Sequence, residues 1–376
     1  MMRITTTAPI PRGTDWLQLL TGRDRGVDSM REVWKEGGID TVWFSRGAWA
    51  FHAVALALQE KLKRPPSIWF PDYFCHQPLQ ALGGTDARVV FYPVNSALEP
   101  DWELCSKLAS AEKPDLFVLV HYFGYAADAA RARLFVQEAG ALLLEDAAHA
   151  IGPSAGIGQT GDFVLYSLYK HCALPDGAAL QVRDSETVVA GFLNVLSETA
   201  RGPAPSPVSW LAKRALQSVL PGIGNVRNTP SDLDDDPGTV APDVTPAMSA
   251  MSRRLLGQAR DRFDRAAARR RANAAALHDL FGTADGLSPL HPDAVADSVP
   301  YRAVFRARNH DTARLWYRRI RESGNVVESW PDLPPEVLGD PATHKAALEL
   351  RRTMLCLPIH ADRTPHQLKA AYGVAL

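Results

Sequence analysis

The sequence predicts an α/β protein: a three-layer α/β/α unit around a mainly parallel sheet, followed by a smaller α+β unit at the C-terminal end. Three observations carry this. Between about residues 40 and 185, short apolar runs alternate with longer stretches of helical spacing, the rhythm of βαβ units. The runs are apolar throughout rather than at every second position, as expected of strands covered on both faces. The rhythm then stops at "RNTPSDLDDDPGTVAPDVTP" (227–246), which is rich in Pro, Gly and Asp and reads as a linker. A chain of 376 residues also exceeds the usual size of a single core. The expected division is an N-terminal segment (1–35), a large domain including the linker (36–246) and a small domain opening on a long helix (247–376).

In chain order, "AWAFHAVALALQEKLK" (48–63) has helical spacing and good helix formers. The expected strands are "SIWF" (67–70), "RVVFY" (88–92), "LFVLVHYF" (116–123), "ALLLE" (141–145) and "FVLYSL" (163–168). Between the third and fourth of these, "ADAARARLFVQEAG" (127–140) is a second helix. After the linker, "MSRRLLGQARDRFDRAAARRRANAAALHDLF" (251–281) reads as one basic helix. Acids are interleaved with its arginines and no aromatic ladder accompanies them, so it presents a solvated face rather than a nucleic-acid surface. The remainder, from about 298, reads as strand "YRAVFRA", helix "TARLWYRRIRES", strand "TMLCLPI" and a last helix.

The totals narrow the partners. Lys plus Arg (41) nearly equals Asp plus Glu (42), so no global field draws nucleic acid or an anionic membrane. Cys75, Cys105, Cys172 and Cys356 show no CxxC spacing, which suits reduced thiols rather than a disulfide framework or a zinc site. The opening "MMRITTTAPIPRG" has no signal-peptide core, and no run approaches the roughly 18 apolar residues of a membrane span. A cytoplasmic protein is expected.

Ligands of open parallel sheets bind beyond the carboxyl ends of the strands. "SRGAW" (45–49), "PDYFCH" (71–76), "HYFG" (121–124), "EDAAH" (145–149) and "SLYK" (167–170) all fall at that edge. Two neighbouring apolar segments there end in an acid, Asp146, and an amine, Lys170. Pyridoxal phosphate uses such a pair: its aldehyde condenses with a lysine, and a carboxylate keeps its ring nitrogen protonated. Gly47, immediately before a strong helix, allows a phosphate to approach backbone N–H groups, and Ser167 offers a hydroxyl. Each residue has a plainer reading beside this one: a capping Asp, a solvent-reaching Lys, small residues at turns, and structural histidines at His121 and His149.

"EDAAHA" (145–150), Gly161-Asp162, the Ser shortly before a Lys, "VHYFG" (120–124) and "RGAWA" (46–50) together resemble the DegT/DnrJ/EryC1/StrS aminotransferases, as do "RRRANAAALHDL" (269–280) and "LPIH" (357–360). The resemblance implies the pyridoxal-phosphate-dependent transferase fold of type I. It also implies an enzyme moving an amino group from a donor such as glutamate to a keto acceptor such as a nucleotide-linked keto-sugar. Lys170 is then the Schiff-base lysine, Asp146 the partner of the ring nitrogen, Ser167, Gly47 and Ala48 the phosphate contacts, and His149 a neighbour of the ring hydroxyl. Phe74 stacks on the ring, with Cys75 and His76 as alternatives under other alignments. A homodimer with active sites at the subunit interface follows from the same resemblance.

The chain departs from that family at three places. Arg46-Gly47-Ala48 stands where the family has Ser-Gly-Thr, so a phosphate-binding hydroxyl is missing. The serine-to-lysine gap of 3 is shorter than usual and is similar to that of class V aminotransferases and cysteine desulfurases, which share the fold type. The family's Asn-Tyr-Arg segment has no clear match, "VRNTP" (226–230) being the nearest. Two further readings therefore stand beside the first: a class V-like enzyme acting on a small amino acid, and a non-catalytic scaffold of the same fold.

Overall fold

Among the described residues, seven strands form the central sheet: β1 (Ile39–Phe44), β2 (Ser67–Pro71), β3 (Arg88–Tyr92), β4 (Leu116–Val120), β5 (Leu142–Asp146), β6 (Phe163–Tyr166) and β7 (Ala178–Arg183). Their spatial order is β1-β7-β6-β5-β4-β2-β3. Strands β2 to β6 pair in parallel, and β7 runs antiparallel to both of its neighbours. This computed structural model describes residues 3–21, 30, 39–183, 189–219, 233, 243–260, 262–295 and 298–376. Most of the expected linker, and the whole of "VRNTP", lie outside the described residues.

The sheet is buried on both faces, and alternate residues of one strand feed different cores. Phe163 and Leu165 of β6, with Val42, Phe44, Leu180 and Val182, join the core that includes helix Gly47–Leu62. Val164 and Tyr166 of the same strand, with Trp43 and Ala179, join a second core with Leu255 and Leu256 from helix Ala250–Arg260. This is the three-layer α/β/α arrangement expected from the continuous apolar runs.

Several expectations need correction. The run "RVVFY" was expected to be covered on both faces, but β3 is an edge strand with Arg88 exposed and the next three residues half-buried. "LFVLVHYF" is a strand only to Val120; His121 then leads into a 3-10 turn at Tyr122–Gly124. The basic helix is two helices, Ala250–Arg260 and Phe263–Phe281. At the break, Arg262 donates to Asp15 Oδ1 at 2.8 Å and to Thr14 Oγ1 at 2.9 Å, so docking against the N-terminal helix Gly13–Thr21 takes precedence over helical continuity. Strands β1 and β7 were not singled out as elements.

A second, antiparallel sheet contains β8 (Leu287–Pro289), β9 (Arg302–Ala307) and β10 (Met354–Pro358) in the order β10-β9-β8. The N-terminal residues pack on this C-terminal part: the Ile4 amide donates to Asn325 Oδ1 at 2.8 Å, and its carbonyl accepts from Val326 at 2.8 Å. In the central sheet the register pairs Val120 with Asp146 and Asp146 with Leu165. Three neighbouring strands therefore end at the same level, and the chain that follows each one opens onto a common edge.

Candidate active site

At that edge lies a cavity of about 500 Å³, lined by all seven residues singled out from the sequence: Lys170, Asp146, His149, Ser167, Gly47, Ala48 and Phe74. Cys75 also lines it; His76 does not, and its amide instead donates to Asp332 Oδ1 at 3.1 Å.

Asp146 is the last residue of β5, so its side chain and that of Glu145 leave opposite faces of the sheet. Asp146 accepts one backbone bond, from the Ala148 N–H at 2.9 Å. Burial raises its pKa, against the opposing pull of Lys170. Lys170 ends the 3-10 turn Leu168–Lys170 that follows β6. Burial alone disfavours its charged form, but Tyr169, Tyr301 and Asp146 outweigh that, and its pKa is raised. Ser167 begins the turn, is 2% exposed, and its hydroxyl has no partner among the described residues.

Gly47 opens helix Gly47–Leu62 beside these groups. A Cβ at Gly47 would lie 3.0 Å from Leu165 Cδ2 and 3.5 Å from Ser167 Oγ, so a side chain there would crowd the floor of the cavity. The preceding residue, Arg46, forms no side-chain cap, which leaves the first-turn N–H groups without the usual side-chain acceptor.

His149 is held by a stack of rings. It lies nearly parallel to Phe123 (5.7 Å between centroids, 12°) and to Tyr301 (4.8 Å, 8°). Its Nδ1 accepts the Phe123 N–H at 3.2 Å, which places the proton of the neutral ring on Nε2. Burial and the nearby Lys170 hold its pKa well below the ordinary histidine value. Phe123 has a left-handed backbone (φ 56°), and its carbonyl accepts from the Tyr301 N–H at 2.7 Å, tying the loop to the C-terminal part. Gly124 follows with φ +85°, where a Cβ would meet the Val299 carbonyl at 2.5 Å.

Glu145, on the other face, is enclosed. It accepts from His121 Nε2 at 2.8 Å, Gly158 N at 2.6 Å, Thr160 N at 2.8 Å and Gly161 N. Burial opposes its charge, but these bonds prevail and hold its pKa down to about 2. His121 accepts at Nδ1 from the Ala127 N–H at 3.0 Å, so both of its nitrogens are engaged.

Sequence reasoning left Tyr169, Trp330 and Tyr301 without a role. Tyr169 and Trp330 line the cavity, and Tyr301 packs on His149. Trp330 and Tyr301 arrive from the C-terminal part with no motif around them, and the only local signal is that Tyr301 immediately precedes β9. Among the described residues no cluster suits a metal ion, and no helix is long and apolar enough to cross a membrane.

Comparison with known proteins adds two findings. Residues 86–195 match the family model of the DegT/DnrJ/EryC1/StrS aminotransferases, so the family recognised from the motifs is found independently over that segment. Among solved structures, the chain is similar to an aminotransferase, TlmJ, from Streptoalloteichus hindustanus (19% identity, TM-score 0.71, covering 100% of this chain and 97% of that one). It is also similar to 3-amino-5-hydroxybenzoic acid synthase (18%, 0.70, 100% and 98%). A third is the Escherichia coli GDP-4-keto-6-deoxy-D-mannose-3-dehydratase with bound hydrated pyridoxal phosphate (16%, 0.68, 100% and 100%). At these identities the likeness establishes the fold, that of the type I pyridoxal-phosphate enzymes. No curated protein matches the sequence.

Proposed function

Starting from residues 86–195 as a segment of the DegT/DnrJ/EryC1/StrS aminotransferase family, we propose that the protein is a pyridoxal-phosphate-dependent aminotransferase with Lys170 as its covalent attachment point. The observation that carries this is that Lys170 and Asp146 face one cavity, beside an uncapped helix start. The residues fit the cofactor. The unbonded Ser167 hydroxyl and the close backbone at Gly47 suit a phosphate. Asp146, under-bonded and with a raised pKa, suits a cationic ring nitrogen.

When bound, the cofactor supplies an aldehyde that takes up amino groups and a ring that accepts electrons. Asp146 would hold the proton on the ring nitrogen, because a cation beside it relieves the cost of its own burial. The Lys170 amine, once uncharged, would take a proton from the donor Cα and return it two atoms along, at the carbon that carried the aldehyde. Neutral His149 offers an N–H from Nε2 in a ring fixed by its neighbours, and Phe74 and Trp330 keep water from the cavity.

The donor in this reading is glutamate and the acceptor a nucleotide-linked keto-sugar, both taken from the family resemblance, as is the homodimer; the cytoplasmic location is taken from the cysteine spacing and the composition. Solution mass tests the dimer. The division at 36–246 and 247–376 belongs to the same proposal and is supported by the two separate sheets.

Lys170→Ala tests the reading. Turnover is expected to fall by at least about 10²–10⁴-fold, the contribution of a positioned acid–base group. The absorbance band of the imine between the cofactor and the protein is expected to vanish with it. Survival of both in the variant rules out Lys170 as the attachment point.

A further inference from the structure

We propose that Arg46 binds the phosphate group of the cofactor, supplying by charge what the missing hydroxyl at residue 48 does not. The inference rests on the aminotransferase reading and concerns an arginine that stands where the family pattern has serine.

Arg46 stands directly before helix Gly47–Leu62 and lines the cavity. Two contacts fix its guanidinium: Nη2 donates to the Pro175 carbonyl at 3.0 Å, and the group lies 4.1 Å from the centroid of the Tyr169 ring. Its remaining end nitrogen, Nη1, is buried and has no partner among the described residues. A buried donor on a charged group is costly to leave unmade; the guanidinium pulls the pKa of the neighbouring Asp176 carboxyl down against its burial, but the Nη1 hydrogen bond itself is unmade.

An independent observation indicates what that acceptor is. Ser167, 2% exposed, turns an unpartnered hydroxyl to the same cavity, within 3.5 Å of where a Gly47 Cβ would lie. Three kinds of donor therefore line one cavity from two elements: the start of a helix with the arginine that precedes it, and a serine after β6. They match an oxyanion with several acceptor oxygens.

Charge favours the cofactor's phosphate as that oxyanion. The cationic side chains lining the cavity are Arg46 and Lys170. In the proposed enzyme the Lys170 nitrogen is committed to the aldehyde, which leaves Arg46, whose charge also acts on the Asp176 carboxyl, as the remaining cation on the cavity wall among the described residues. Arginine suits the task, because its planar fork stays charged and can bind two oxygens at once.

The test compares pyridoxal phosphate with pyridoxal, which has the same ring and aldehyde but no phosphate, in buffer free of phosphate and sulfate. Binding of each is measured by fluorescence quenching for wild type, Arg46→Gln and Arg46→Lys. Arg46→Gln is expected to weaken pyridoxal phosphate by about tenfold or more, as for a lost hydrogen bond to a charged group, and to leave pyridoxal nearly unchanged. Arg46→Lys, which keeps the charge and loses the fork, is expected to fall between. Pyridoxal binding doubles as the folding control. Equal loss of both ligands assigns Arg46 to packing on Tyr169 and overturns the proposal. So does unchanged pyridoxal phosphate affinity in Arg46→Gln, including the case in which only the KM for the amino donor rises, which would move Arg46 to the substrate's carboxylate. Wild-type protein that binds neither ligand defeats the aminotransferase reading itself, a result distinct from failure at Arg46 alone.

Discussion

Glu145 and Asp146 are consecutive residues of one strand, both buried, yet they sit in opposite chemical situations. Glu145 receives four donors, and its pKa is held down to about 2. Asp146 receives one backbone donor, and its pKa is raised. Burial penalises both carboxylates, so the difference lies in the hydrogen bonds each is given. A satisfied buried carboxylate organises the chain around it: here it gathers the Gly158–Gly161 turn and His121. An under-satisfied one beside a cavity is left for a ligand to complete. The strand's alternation separates the two roles within a single residue step.

The largest effect expected from this contrast is on Glu145. Glu145→Ala leaves three backbone N–H groups and an imidazole N–H without their acceptor, a loss of about 3–5 kcal/mol in fold stability by the measure of broken buried charge networks. Glutamine does not rescue it, because whichever way its amide turns, an NH₂ faces N–H donors on one side. The pH dependence sharpens the point. With its folded pKa depressed from 4.5 to about 2, Glu145 contributes stability that is fully present above the unfolded value and lost as pH falls through that window, roughly 3 kcal/mol in all. The wild-type-minus-Glu145→Gln difference in unfolding free energy should shrink between pH 4.5 and 2; a flat difference would place the four bonds in doubt.

Asp146 should behave in the reverse way. Its folded pKa is raised, so its ionised form costs stability above the unfolded pKa, and that cost is relieved as pH falls. Asp146→Asn therefore keeps or raises the melting temperature near neutrality, while under the proposed role of Asp146 as ring-nitrogen partner turnover drops by about a hundredfold. A variant that melts early but turns over normally would reduce Asp146 to a structural acid like its neighbour.

The same contrast marks what could be read in advance. That Asp146, Lys170, Ser167 and Gly47 share the strand-end edge was legible because polar or small residues at the ends of apolar runs stand out against what a buried strand requires. The parallel strands β2, β4, β5 and β6 were legible for the same reason. Strands β1 and β7 were not: "IDTVWF" carries Asp40 and Thr41, and "AALQVR" is rich in alanine, a weak strand former, with Gln181 buried within it. The break at Arg262 depends on Asp15, 247 residues away in sequence. Trp330 and Tyr301 likewise reach the site only through long-range packing, which no local pattern encodes. Three of the four donors on Glu145 come from a turn more than ten residues downstream and the fourth from His121 upstream, so its neighbour's distinct role could not be read from the dipeptide.

The smallest predicted effect lies at His149, between the two carboxylates in character: it is well packed, like Glu145, yet lines the cavity, like Asp146. Its folded pKa is depressed well below 6.5, so the folded protein keeps it neutral while the unfolded chain takes up a proton. That costs stability progressively as pH falls below the unfolded value, at no more than roughly 1.4 kcal/mol per pH unit for one group. His171 and His360 are depressed in the same direction, so part of the acid sensitivity belongs to them. His149→Gln should therefore destabilise the protein by about 1 kcal/mol at pH 7.5, where the stack and the Phe123 bond are weakened, and by less at pH 5.5, where the variant escapes the protonation penalty. Thermal melts of both proteins at the two pH values give the comparison. A loss that grows toward acid pH would mean that His149 is protonated in the fold, and that the Phe123 amide does not hold its Nδ1.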